Sequence, residues 1–95
     1  MKTLDYREDL MRRLQGQEFA AAYLNEVLAM NDRKALLIAL KDVVDARGGI
    51  GELARRVPLQ RQSLYKILSP RGNPTLEALR EILQHLGLRL SVAPA

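Results

Sequence analysis

The chain has 95 residues, 47% hydrophobic and 27% charged, with 15 lysines and arginines against 11 acids for a net charge of +4. That length holds roughly one domain around a single core, and the balance of apolar and charged residues excludes a disordered or fibrous chain. Without cysteine, disulfides, thiolate metal sites and cysteine nucleophiles are excluded; no uncharged run approaches the roughly 20 apolar residues that span a bilayer, so a cytoplasmic protein without a membrane partner is expected.

Asp5 is the expected N-cap of a first helix over Tyr6–Leu14, with Leu10, Met11 and Leu14 on one side and an interruption at Gly16. A second helix is expected from Glu18 to Met30, where Phe19, Tyr23, Leu24, Val27 and Leu28 follow the 3.6-residue period. Residues 1–32 hold four bases (Lys2, Arg7, Arg12, Arg13) and six acids (Asp5, Glu8, Asp9, Glu18, Glu26, Asp32). They form an acidic N-terminal helical arm, set apart from residues 33–95. Two roles fit it: Asp5, Glu8 and Asp9 with Leu10, Met11 and Leu14 dock on a basic partner, or the arm folds back as an extra core helix.

Asn31 and Asp32 cap a third helix, Arg33–Arg47, whose stripe of Leu36, Leu37, Leu40, Val43 and Val44 is the expected centre of the core. Gly48-Gly49 ends it, because glycine adopts a left-handed turn at little cost. Two short helices follow, Ile50–Val57 and Gln60–Leu68, separated by Pro58 and Leu59. Thr75 caps a last helix with Leu76, Leu79, Ile82, Leu83 and Leu86 inward and a stop at Gly87. Leu88–Val92 alternates like a strand without a mate, so it either pairs across a dimer axis or extends along the surface. The fold class is therefore all-α, with an N-terminal helical extension and a short C-terminal extended segment.

The two short helices have the organisation of a helix-turn-helix unit, in which a tight crossing requires small and apolar residues at fixed places. Leu53, Val57, Leu59, Leu64 and Ile67 point to the core, and Ala54 is small where the helices cross. With Leu64, Ile67 and Leu68 inward, Gln62 and Lys66 point directly away, Arg61 and Tyr65 lie on one flank and Ser63 on the other. Between Glu52 and Glu77 there is no acid, while Arg55, Arg56, Arg61, Lys66 and Arg71 all fall there. Arginine and lysine can donate to guanine O6 and N7, and glutamine can pair with adenine N6 and N7. Gln60, Arg61, Gln62, Tyr65 and Lys66 are thus candidate base readers; Arg55, Arg56, Ser63, Arg71 and Asn73 are candidate contacts to the DNA backbone. The competing reading is a small bundle whose short helices merely expose polar side chains.

Little else carries chemistry. His85 is the only histidine and has no second ligand to form a metal site; Ser63 and Ser69 lack a base; "RGG" and "GIG" read as turns rather than phosphate loops. No enzyme and no cofactor are expected.

"GGIGELARRVPLQRQSLYKILSPRGNPTLEALREILQHLGLRLSV", with the upstream "AAAYLNEVL" and "LLIALKDVVDARGG", resembles the addiction-module antidote proteins, a branch of the Xre/HigA-like antitoxins. "SLYKILS" with "GNPTLEALREIL" is the most specific part. The resemblance implies a lambda-repressor-like helix-turn-helix bundle, repression of its own operon through double-stranded operator DNA, and neutralisation of a small basic RelE/ParE-type toxin. A homodimer on a palindromic operator, with half-sites about 34 Å apart, is the expected assembly. The alternatives are a stand-alone Xre-type regulator and a protein-interaction module without DNA binding. One departure stands out: Pro58 replaces the family's usual turn glycine, and its ring fixes φ near −65°. Gln60 also replaces the usual serine or asparagine cap.

Overall fold

A computed structural model describes the backbone of residues 3–95 and the side chains of residues 6–95. Among the described residues six helices follow one another: α1 (Thr3–Arg13), α2 (Gln17–Ala29), α3 (Arg33–Ala46), α4 (Gly49–Ala54), α5 (Arg61–Ile67) and α6 (Leu76–His85). Among the described residues there is no strand, and the bundle has a helix-turn-helix pair in α4 and α5.

The apolar stripe of α3 makes it the central helix. Leu37, Leu40, Val43 and Val44 are each buried to within 1%, and α1, α2 and α4 all pack against α3. Leu14, Leu64, Leu68 and Ile82 complete the interior, so residues from both ends of the chain meet in one core. Burial of each such leucine stabilises by roughly 1.5–3 kcal/mol relative to leaving it in water.

Caps and turns set the helix limits. Asp32 accepts from the Ala35 N–H at 3.1 Å and Thr75 from the Ala78 N–H at 3.0 Å. Asn31 takes φ 57° to close α2, and Gly48, at φ 105°, separates α3 from α4. The helix α1 starts at Thr3, which places Asp5 inside it rather than at its N-cap. "GIG" is not a turn, since Gly49, Ile50 and Gly51 are the first three residues of α4.

The connection after α4 is longer than expected: the helix ends at Ala54 instead of Val57, and α5 begins at Arg61. Proline disfavours helical angles in the residue before it, and the chain tightens accordingly. Arg55 and Arg56 donate to carbonyls three residues back, Glu52 and Leu53, at 3.2 and 3.0 Å. Pro58 therefore stands in an irregular link that needs no positive φ.

Three apolar positions expected inside are not. Leu76 is 66% exposed, because the first turn of α6 projects past the core and Ala78 is buried in its place. Phe19 and Leu28 are exposed on the outer edge of α2, whose inward line is Ala20 and Leu24. Phe19 is partly covered by the Arg13 guanidinium, 5.9 Å from its ring centroid, and by Tyr23 stacked at 6.4 Å. The segment after Gly87 runs extended along the surface of the protomer.

Polar ties lock the ends of the bundle. Arg47 donates to the Leu14 carbonyl from Nε and Nη2 at 3.2 and 3.1 Å and to the Leu86 carbonyl from Nη1 at 2.6 Å. It thereby satisfies the acceptors that α1 and α6 leave open at their C-termini. Asp42, only 8% exposed, accepts from Arg7 Nη1 at 2.8 Å and from the Tyr23 hydroxyl at 2.9 Å.

Burial, then the hydrogen bond to Asp42 and its negative charge, push the Tyr23 hydroxyl up to about 12 from its ordinary 10.0. A raised pKa stabilises the folded state fully below the unfolded value and ceases to do so as pH climbs through the folded one. Stability should accordingly fall between pH 10 and 12 more steeply in the parent protein than in Tyr23→Phe, as read from urea midpoints across that range. Parallel curves would show that the hydroxyl's environment does not differ between the folded and unfolded states.

Candidate nucleic-acid interface

The helix α5 is short, so packing rather than intrinsic propensity holds it. Leu64 is 0% and Leu68 1% exposed, with Ile67 and Leu59 packed at the core's edge. Gln60 occupies the N-cap position in extended backbone without a side-chain capping bond, which leaves its amide for other partners. Gln60, Arg61, Gln62, Tyr65 and Lys66 are all exposed and Ser63 is half-buried. The structure thus places the five proposed base readers on the solvent side of one helix and its cap.

Arg61 has a defined resting place. Its guanidinium lies 5.9 Å from the Tyr65 ring centroid and against Gly51 of α4, where a Cβ would come within 3.2 Å of Nη2. Gly51 therefore matters for Arg61 by having no side chain. The only sequence signal for this was a glycine inside a helical stretch, which often marks close approach.

The flanking positions are less uniform. Arg56 pairs with Glu52 at 3.0 Å and Arg55 with the same carboxylate at 3.7 Å, all three side chains being substantially exposed. Such surface pairs contribute at most about 1 kcal/mol, so a phosphate can displace Glu52. The sequence reading placed this acid at the boundary of the basic stretch and not in contact with its cations. Beyond α5, the loop winds tightly: Ser69 Oγ donates to the Lys66 carbonyl at 2.8 Å, and the Gly72 N–H donates to the Ser69 carbonyl at 2.9 Å. Arg71 and Asn73 stand exposed on either side of buried Gly72. Asn73 accepts from Arg33 Nη1 at 3.4 Å, which brings a further cation, on α3, to the same edge.

The N-terminal arm uses its apolar side internally. Leu10 and Met11 pack on the core and Leu14 is fully buried, so Leu14 has no surface to offer a partner. Glu8 is exposed; Asp9 pairs with Arg12 and, at 2.9 Å, with Arg13. The side chain of Asp5 lies outside the described residues. Among the described residues no group of histidine and acidic side chains could hold a metal ion, and no helix is long and apolar enough to cross a membrane.

A family model described as "Probable addiction module antidote protein" matches residues 5–94. An uncharacterized protein of Haemophilus influenzae (strain ATCC 51907 / DSM 11121 / KW20 / Rd) is 34% identical over 84 residues, which cover 88% of this chain and 86% of the relative. No solved structure matches the chain.

Proposed function

Because the chain belongs to the family of probable addiction module antidote proteins, we propose that it is the antitoxin of a type II toxin-antitoxin module, which represses its own operon by binding operator DNA. The observation that carries this reading is the acid-free polar face of α5, with Gln62 and Lys66 exposed opposite buried Leu64 and Leu68. A helix presented in this way can enter a major groove of about 12 Å and reach base edges. Gln62, Lys66 and Arg61 read bases, with Gln60 and Tyr65 at the margin of the footprint. Arg55, Arg56, Arg71, Ser63 and Asn73 hold the phosphates. Repression is occlusion of the promoter, without catalysis, in the cytoplasm of a bacterium. The toxin is a small basic protein of the RelE/ParE type, met by acids of the arm, exposed Glu8 and half-buried Asp9 among them.

Gln62→Ala should weaken binding to the DNA upstream of the gene by roughly 1–3 kcal/mol, while binding to unrelated DNA is nearly unchanged. Gel shifts over a salt series measure both; equal losses on the two DNAs would remove Gln62 from the base-reading set. A protein-interaction module is the second reading. It requires that Glu52 hold Arg55 and Arg56 against phosphate. In that case the salt series shows neither tight binding nor the steep decline that phosphate contacts impose.

A further inference from the structure

A groove of about 400 Å3 runs between α2, α3 and α6, with Leu24, Leu28, Leu36, Leu79 and Leu83 on its walls. Leu88, Arg89, Leu90 and Ser91, in the extended segment after Gly87, border it. Alternate residues of an extended chain share a side, so Leu88, Leu90 and Val92 form one apolar row. The row is only partly used: Leu88 is half-buried, Leu90 is 39% exposed and Val92 is fully exposed. The Leu88 N–H donates to the Leu83 carbonyl at 2.8 Å, and beyond it no backbone hydrogen bond forms among the described residues.

We propose that residues 88–92 pair antiparallel with the same residues of a second copy of this chain, about an axis through Leu90. Each Val92 then covers the groove of the other copy. The pattern is self-complementary in this register alone. With Leu90 on the axis, Leu88 of one copy faces Val92 of the other, and Arg89 faces Ser91. Shifting the axis to Arg89 would set two guanidinium groups against each other, which destabilises a strand pair. Shifting it to Ser91 would bring Pro94 into the ladder, where it has no N–H to donate. In the chosen register all six apolar side chains lie on one side, and the backbone groups that each strand turns toward the axis are satisfied by the other. This dimer supplies the two-fold axis that operator binding requires, and it is tested without DNA, so either reading can fail alone.

Light scattering on the purified full-length chain at micromolar concentration should give twice its 10.7 kDa mass. Val92→Asp should halve that mass and leave the helical circular dichroism unchanged, since Val92 is wholly exposed in its own protomer. The chain has no cysteine, so the register can be read by oxidation. A mixture of Arg89→Cys and Ser91→Cys proteins should form an intermolecular disulfide, while each alone should not, because like positions would lie about 7–8 Å apart. A single-chain mass for the parent at every concentration would overturn the dimer and leave the groove to another occupant, such as a toxin segment. So would a dimer that survives Val92→Asp, and cross-linking of either cysteine variant with itself would overturn the register.

Discussion

Gly72→Ala is expected to cost about 3 kcal/mol of folding stability, the upper part of the usual range for overfilling a packed site. A Cβ on Gly72 would sit 2.0 Å from the Ile67 carbonyl oxygen and 2.8 Å from that of Lys66, both of them backbone atoms. No flexible side chain can give way, so either the end of α5 or the loop must move. For a chain of this size each kcal/mol lowers Tm by roughly 4–8 °C, and thermal melting reads the loss directly. The same displacement would swing Arg71 and Asn73 out of line with Lys66, so on the proposed reading DNA affinity should drop even where the variant remains folded. A variant as stable as its parent would mean that this loop does not rest on α5.

Leu64→Ala should be comparably damaging, by about 2–5 kcal/mol, because it removes a wholly buried side chain and leaves a cavity. Leu64 is the principal anchor of the seven-residue α5. Two positions earlier, Gln62 faces solvent, and replacing it with alanine should change stability by no more than about 0.5 kcal/mol. Urea titration of the two variants separates the helix's inner and outer faces. Equal stability losses would mean that α5 is rolled about its axis relative to the orientation with Leu64 inward and Gln62 outward.

Much of this was legible in the residues themselves. The periodicity of Leu37, Leu40, Val43 and Val44 located the core, and Asp32 and Thr75 announced their caps, because these signals are local and depend on a few neighbours. The solvent face of α5 was legible for the same reason: one buried leucine every three or four residues fixes where the others point. What stayed hidden was non-local. Nothing near Asp42 in the sequence indicates that Arg7 and Tyr23 converge on it, since those partners come from two other helices. The exposure of Leu76 and Leu28 was missed because a helical period gives a face but not how far the neighbouring helices extend over it. Glu52 was counted as the boundary of an acid-free stretch, yet helical spacing carries it back toward Arg55 and Arg56.

The two carbonyls held by Arg47 have a bearing on how the amino-terminal extension is regarded. Leu14 supplies one of those acceptors and also plugs the interior, so the extension is a tenon seated in the helical body and not a detachable handle. Clipping it away would strand a guanidinium beside an opened cavity, and a cell that degrades the extension would dismantle the whole molecule with it.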